Sequence, residues 1–363
     1  MENKFLKYFL AANSGEGFVS HFADNYDFND GWRTYIIKGG PGTGKSSFMK
    51  YLTVKAVDCG YRVELCPCSS DPDSLDGVII KDIKTIILDG TSPHVVEPNY
   101  AGVCEEIINL GVFWNSDKLR ERAKEIIKVT KENKKLHKTA GMYILSAGEL
   151  IYDNFKLSNH FINQTKCEKF AFNLVTQLLP NKKNHHSKEW VRFIGGVTPK
   201  GIIAYKKTVE NFYENVIVVD DRYGAAANII TQKAREIALR RGYEIITLKN
   251  PFLPSHITDH ILIPELSLAF VREYEYIKFG EQYRRIHARR FYDISVLRTF
   301  RARLTFNRRL ARELLLGAIE TLSKAKAVHD KLEKYYIDAM DFNALTLFAE
   351  QKAREILMHN YKT

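Results

Sequence analysis

One glycine-rich segment constrains the fold of this chain more than any other feature. Residues 39–46 read GGPGTGKS and satisfy the pattern G-x-x-x-x-G-K-[ST]. The preceding run, Arg33–Lys38, is rich in β-branched and aromatic residues, and in residues 46–60 apolar side chains recur at steps of three and four. Glycines permit positive φ angles, and consecutive N–H groups beside a helix start bind anions. The segment therefore predicts a strand, a tight loop and a helix built around an anion.

The residues of this glycine loop (residues 39–46) have distinct chemical tasks. Lys45 supplies a positive charge for the β- and γ-phosphates of a nucleoside triphosphate, and Ser46 supplies a hydroxyl ligand for Mg²⁺. The sequence from about residue 30 to 95 resembles the P-loop NTPase superfamily, which implies ATP and Mg²⁺ as ligands. ATP is preferred to GTP because no N-K-x-D sequence is visible. The expected nucleotide contacts are Gly39, Gly40, Pro41, Gly42, Thr43, Gly44, Lys45, Ser46 and Ser47.

A carboxylate that holds Mg²⁺ is expected at the end of a second strand. Ile83–Asp89 is an apolar run that ends in Asp89, and it resembles the acidic motif of the same superfamily. Strand ends of a parallel sheet meet at one edge, so Asp89 is predicted to join Lys45 in catalysis and Ser46 in metal binding. The alternative is that Asp89 simply caps a turn after a buried strand.

Other polar residues near these motifs have two interpretations. His94, in the sequence Ser-Pro-His, is a candidate for positioning water or sensing the γ-phosphate, although a lone loop histidine is more often structural. Asp71, Asp73 and Asp76 follow the second predicted strand. They either bind an acceptor or form a turn, and the proline at position 72 favours the turn.

The chain also repeats itself, which predicts two similar halves. Each half is expected to contain an α/β core followed by a long helical segment. The predicted fold is two tandem P-loop NTPase-like domains with parallel sheets, residues 1–182 and 183–363, joined by the polar stretch Pro180–Lys188. The matching segments are Phe9–Gly17 with Phe193–Gly201, Tyr35–Ile37 with Ile217–Val219, Gly60–Glu64 with Gly242–Ile246, and Asp76–Ile83 with Asp259–Leu266.

The loop of the second half, Asp220–Asn228, lacks the residues that bind phosphate. Asp220 and Asp221 place negative charge near the expected phosphate position, which opposes anion binding. The second half is therefore predicted to be a pseudo-domain that packs on the first, or to complete its site with Arg222 as a finger on the γ-phosphate. Aligned with the first loop, the pairs are Ala226 with Gly44, Ala227 with Lys45, and Asn228 with Ser46.

Composition and charge leave several partners open. The net charge is +11, and no apolar run reaches the length of about 18 residues that a transmembrane helix needs, so a cytoplasmic protein without membrane insertion is expected. Residues 284–312 hold ten arginines among aromatic residues. Such a run binds nucleic acid or another polyanion, or it is merely a solvated helix face.

The whole layout resembles an uncharacterised family of duplicated P-loop proteins, described as ATPase-like, in which the second loop has decayed. The resemblance implies nucleotide binding and no particular substrate. The first hypothesis is an ATPase that works in the first half of the chain. The alternatives are a nucleotide or small-molecule kinase, with the arginines of residues 284–312 as a lid, and a nucleotide-responsive module that binds nucleic acid.

Overall fold

A computed structural model describes residues 5–93, 95–182 and 186–358. These residues form two six-stranded sheets, two small hairpins and a set of helices. In the first half the elements are β1 (Leu6–Lys7), β2 (Ala11–Ser14), β3 (Gly17–Ser20), β4 (Arg33–Lys38), α1 (Lys45–Asp58), β5 (Val63–Pro67), β6 (Leu75–Ile80), β7 (Thr85–Asp89), β8 (Glu105–Asn109), α2 (Ser116–Glu121), α3 (Ala123–Phe161) and α4 (Gln164–Leu178). In the second half they are β9 (Lys188–Arg192), β10 (Gly195–Thr198), β11 (Gly201–Ala204), α5 (Lys207–Glu210), β12 (Asn215–Asp220), α6 (Ala225–Arg240), β13 (Glu244–Lys249), β14 (Thr258–Ile263), β15 (Leu268–Glu273), β16 (Arg284–His287), α7 (Ile294–Ile337) and α8 (Phe342–Met358).

The two sheets have the same strand order. In the first half the order is β1-β5-β6-β7-β4-β8, and in the second half it is β9-β13-β14-β15-β12-β16. The antiparallel hairpin of β2 and β3 also has a counterpart in β10 and β11. The repeat read from the sequence therefore corresponds to two α/β halves, each with a sheet and helices.

The sheets are mixed, so the prediction of parallel sheets is wrong for one strand of each. β6 runs antiparallel to β5 and β7, and β14 runs antiparallel to β13 and β15. The other neighbouring strands are parallel. The connections 68–74 and 81–84 are too short for the crossover of a dozen or more residues that parallel neighbours need. Two short reversals in succession return β7 to the direction of β5.

The long helices α3 and α7 form an antiparallel pair between the halves. Asn133 Nδ2 donates to the Ala325 carbonyl (2.8 Å), and Asn154 Nδ2 donates to the Leu304 carbonyl (3.3 Å). The partner number falls as the α3 number rises, so the helices run in opposite directions. Small and branched side chains are buried along the pair: Ala140, Ile144, Ala147, Ala311, Leu315, Ala318 and Leu322.

The helix that follows each long helix packs on the sheet of the other half. Val175 of α4 belongs to the buried cluster that includes α6 and the second sheet. Ala353 of α8 belongs to the cluster that includes α1 and the first sheet. The stretch Pro180–Lys188, whose residues 183–185 lie outside the described part of the chain, separates the repeats in sequence. In space, however, the two halves share their cores by exchanging helices.

A buried ion pair joins β5 of the first sheet to β9 of the second. Arg192 Nη1 donates to Glu64 Oε2 at 2.6 Å, and Arg192 Nε donates to Asn25 Oδ1 at 2.6 Å. Arg192 is fully buried and Glu64 is 5% exposed. Burial alone would raise the pKa of the Glu64 carboxyl, but Arg192 and Lys81 hold it below its ordinary value. The pair therefore stays charged inside the molecule.

Removal of Arg192 is expected to destabilise the fold. Arg192→Met leaves the Glu64 carboxylate buried without its main partner, which typically costs about 3–5 kcal/mol of unfolding free energy. The matched control is Arg62→Met, because Arg62 forms an ion pair with Asp82 but its side chain is 87% exposed. The control is expected to lose less than about 1 kcal/mol. Urea denaturation of both variants tests the prediction, and equal losses would contradict it.

Candidate functional site

The glycine loop joins β4 to α1, which begins at Lys45. Gly42 and Gly44 have φ angles of 70° and 86°, in the left-handed region that residues with a side chain rarely adopt. Lys45 Nζ donates to the carbonyl oxygens of Gly39 at 3.1 Å and Gly40 at 2.9 Å. The predicted succession of strand, tight loop and helix is therefore confirmed.

The end of α7 packs directly against this loop. A Cβ atom on Gly40 would lie 2.6 Å from Cε1 of Tyr336, and one on Gly42 would lie 2.7 Å from the carbonyl oxygen of Glu333. Both distances are shorter than any normal contact of a Cβ atom. The loop thus needs glycine for contact with the second half as well as for its backbone angles.

Asp89 lies beside the loop at the end of β7, the strand next to β4. Its Oδ2 atom is 3.7 Å from Lys45 Nζ, and the two side chains are 14% and 13% exposed. Its Oδ1 atom accepts hydrogen bonds from the Thr91 backbone N–H (2.9 Å) and hydroxyl (2.6 Å). The structure therefore brings two predicted site residues together and fixes the orientation of the carboxylate.

The hydroxyl groups of the loop have defined partners. Ser46 Oγ accepts a hydrogen bond from the Leu75 N–H at 3.0 Å, which places it at the start of β6. Thr43 Oγ1 donates to the Gly40 carbonyl at 2.8 Å and closes the loop on itself. Ser47 is exposed in the first turn of α1. The Ser46 hydroxyl therefore lies next to the strand that carries a second carboxylate.

That second carboxylate is Asp76, for which the sequence favoured a turn over the binding of an acceptor. Asp76 is on β6, one position beyond the pair formed by Gly77 and Leu88, so it lies beside Asp89. It is 4% exposed. The repeat offered a signal that would have found it, because Asp259 has the same strand position in the second half. Asp76 therefore belongs with the candidate site.

The turn before β6 contains the other two aspartates. Asp71 accepts hydrogen bonds from the Asp73 N–H (3.3 Å) and the Ser74 hydroxyl (2.9 Å), which confirms the turn interpretation for these residues. Lys326 Nζ of α7 lies 3.4 Å from Asp71 Oδ2. The other candidate of this region, His94, lies outside the described residues. The turn is thus tied to the second half at the rim of the site.

The second loop is two residues shorter than the first. Four residues link β12 to α6, whereas six link β4 to α1. α6 begins at Ala225 after Gly224 (φ 95°), just as α1 begins at Lys45 after Gly44. Ala225 therefore stands where Lys45 does, and the predicted alignment of Ala227 with Lys45 is wrong by two residues, as are the pairs that depend on it. The corrected alignment still places no lysine at the position that Lys45 has in the first loop.

An internal carboxylate occupies the helix start of the second loop. Asp221 Oδ2 accepts a hydrogen bond from the Ala227 N–H at 2.9 Å, and Oδ1 accepts one from the Tyr292 hydroxyl at 2.7 Å. Burial and the Asp221 carboxylate raise the pKa of Tyr292 well above its ordinary value, so the phenol remains a donor. Asp221 is 1% exposed. The anion site of the second loop is therefore filled by the protein itself.

The second half has an arginine at the strand end where the first half has the Asp89 carboxylate. Arg272 has the position on β15 that Asp89 has on β7, as the partners Val219 and Ile37 show. Arg272 Nη1 donates to Asp259 Oδ1 at 2.9 Å, and Nε donates to the Asp221 carbonyl at 2.9 Å. A guanidinium group thus takes the place of a carboxylate.

Arg222 and the arginine-rich segment lie far from the glycine loop. Arg222 lines a cleft with Arg308 of α7, whereas the glycine loop contacts Glu333 of the same helix. Twenty-five residues of helix separate Arg308 from Glu333, or about 38 Å at 1.5 Å per residue. The finger hypothesis for Arg222 is therefore wrong within one chain. For the same reason the part of the arginine-rich segment that lies on α7, residues 294–312, does not form a lid over this loop.

Comparison of the chain with protein-family models, with curated proteins and with solved structures finds no match. Within the described ranges, none of the helices has the length and apolar character needed to cross a membrane. In the same part of the chain, no three or more His, Cys, Asp and Glu side chains are grouped so that they could hold a metal ion by themselves. Function is therefore inferred from the geometry of the loops.

The contact between the loop and α7 can be tested by adding one methyl group. Gly40→Ala is expected to press on the Tyr336 ring and to lower the unfolding free energy by about 1–3 kcal/mol, the usual cost of overpacking. Gly141→Ala is the matched control, because its Cβ would meet nothing within 4 Å in the middle of α3. The control is expected to gain roughly 0.5–1 kcal/mol from helix propensity. Thermal unfolding without nucleotide measures both, and a stable Gly40→Ala protein would refute the contact.

Proposed function

We propose that the first half of this chain binds ATP with Mg²⁺ and hydrolyses it to ADP and inorganic phosphate. The observation that carries this proposal is the convergence of Lys45 and Asp89, 3.7 Å apart, at a positive-φ glycine loop in front of a helix. Exposed N–H groups at such a helix start favour phosphate, and lysine adds a full charge.

The residues at the loop fit a hydrated magnesium ion. Mg²⁺ in phosphate sites takes one or two carboxylates together with substrate oxygens and waters. Asp89 and Asp76 are adjacent acidic side chains, and Ser46 brings its hydroxyl to the start of the same strand pair. When bound, the ion neutralises charge on the β- and γ-phosphates. Lys45 would hold these phosphates, while Thr91 keeps the Asp89 carboxylate in position.

The second half supports the site in this proposal without binding nucleotide. Its contribution is the end of α7, where Glu333 and Tyr336 contact the loop. His329 lies 3.4 Å from the Glu333 carboxylate and, as the leading cause, lowers the pKa of that carboxyl. Transfer of the γ-phosphate to an added acceptor rather than to water would replace hydrolysis with the kinase assignment.

Phosphate release from Mg·ATP tests the first proposal. Lys45→Ala is expected to reduce release by roughly a hundredfold or more, because a preorganised charge on the reacting phosphate is removed. Lys55→Ala is the matched control, since Lys55 is an exposed lysine at the far end of the same helix. It is expected to keep full activity. Equal release by the wild type and the Lys45→Ala variant would exclude catalysis at this loop.

A specific surface favours polyanion binding as a second candidate function. Arg298, Arg301, Arg309 and Arg312 are exposed on α7 and form no ion pair with any described residue. At 3.6 residues per turn they lie within about 80° of the helix surface and span about 21 Å. Phe306, 52% exposed, adjoins this arginine stripe. Unpaired cations beside an exposed ring suit the backbone and bases of a single-stranded nucleic acid.

Neutralising the arginine stripe is expected to weaken nucleic-acid binding. In a variant with all four arginines changed to glutamine, affinity for a single-stranded oligonucleotide should fall. The slope of log K against log salt should also shrink by about 0.7 for each phosphate that the variant no longer neutralises. Lys324→Gln is the control, because Lys324 is on the same helix but pairs with Glu320. Anisotropy titrations at several salt concentrations measure the slope. An unchanged slope in the quadruple variant would rule out this surface.

A further inference from the structure

A second cleft lies at the strand ends of the second sheet, between the second loop and the pair of α3 and α7. The cleft lies beside the second loop, which is the counterpart of the glycine loop in the first half. Its walls come from both halves, because α3 and α7 close one side of it. Charged and aromatic side chains line it, among them Arg222, Tyr223, Phe252, Glu275, Tyr276 and Arg308.

Charge in this cleft favours an anion, but not at the helix start. Asp221 already accepts the hydrogen bonds that a phosphate would need there, and Arg272 is committed to Asp259. Of the other charged side chains that line the cleft, two are cations and one, Glu275, is an anion, so their net charge is positive. Arg222 is exposed and Arg308 is half-buried, and neither forms an ion pair with a residue in the described ranges. Arginine presents two parallel donors that match a carboxylate or a phosphate.

Aromatic rings form part of the remaining walls, beside aliphatic side chains such as Ile151 and Leu304. Phe252 and Tyr276 pack with centroids 5.4 Å apart, and Tyr223 meets Phe161 edge to face at 5.3 Å. Burial and Glu275 raise the pKa of Tyr276 to about 12, so its hydroxyl stays protonated at neutral pH. Flat apolar walls beside guanidinium groups suit a planar ring that carries an anionic group.

We propose that this cleft binds a small organic anion with a planar ring, its phosphate or carboxylate held between Arg222 and Arg308. A mononucleotide and an aromatic carboxylate both have this chemistry. The site is distinct from the glycine loop, so it does not depend on ATP binding there.

The test uses the full chain carrying Lys45→Ala, which removes the phosphate charge of the first site. Calorimetric titrations with AMP, benzoate and inorganic phosphate are compared before and after adding Arg222→Ala and Arg308→Ala. We expect AMP or benzoate to bind, more tightly than inorganic phosphate, and the double change to weaken binding by roughly tenfold or more. AMP binding would assign a mononucleotide, and benzoate binding an aromatic carboxylate.

Controls keep the result interpretable. Arg120→Ala removes an exposed arginine that pairs with Asp117 on α2, and it should leave affinity unchanged. The single change Arg222→Ala, at an exposed residue, separates a loss of binding from a loss of folding. The proposal is overturned if neither ring compound binds, if inorganic phosphate binds equally well, or if affinity is indifferent to both arginines. ATP hydrolysis by the wild type is measured separately, so the proposal for the glycine loop and the proposal for the cleft are tested independently.

Discussion

Neither half of this protein covers the apolar face of its sheet with its own helices alone, and the rest of the structure follows from that constraint. The helix that buries the first sheet beside α1 is α8, and the helix that buries the second sheet beside α6 is α4. The antiparallel pair of α3 and α7 carries each of these helices across to the other half. As a result the glycine loop is held by a helix that is remote in sequence, through Glu333 and Tyr336.

The two loops place opposite charges at the start of the helix that follows each of them. A helix start with free N–H groups attracts negative charge. In the first half the loop places Lys45 at the first position of the helix. In the second half Asp221 supplies the anion from within the chain, and Arg272, which pairs with Asp259, stands where the first half has Asp89. Because the Asp221 carboxylate is part of the protein, the positive potential at the start of α6 is neutralised without a ligand from solution.

Local features were predictable from the sequence, while features of packing were not. The strand, loop and helix around Lys45 follow from glycine and lysine at fixed spacing, because positive φ angles leave few alternatives. The repeat also predicted two similar halves. The sequence does not indicate the exchange of α4 and α8, because the apolar face of a helix has the same pattern whichever sheet it covers. The register of the second loop was misplaced because a two-residue deletion is invisible once the lysine is absent.

Asp76 shows the same limit within the candidate site. Its neighbours Asp71 and Asp73 do form a turn, so a compositional argument applied to all three aspartates was right for two of them. The third lies on β6, and its closeness to Asp89 depends on an antiparallel pairing that the expected parallel sheet did not contain. Because the direction of β6 was predicted wrongly, the Asp76 carboxylate was not assigned to the site.

The exchange of helices also has a consequence for biosynthesis. The glycine loop is encoded near the start of the chain, but Leu345 and Ala353 complete the core around it. About 300 residues separate the end of α1 from the end of α8, which a ribosome adds in roughly 15 to 60 s. During that time the part of the apolar face that α8 covers in the folded protein is still exposed. The part of the molecule that is synthesised first is therefore among the last to be completed, and a nascent chain must be kept from aggregating until then.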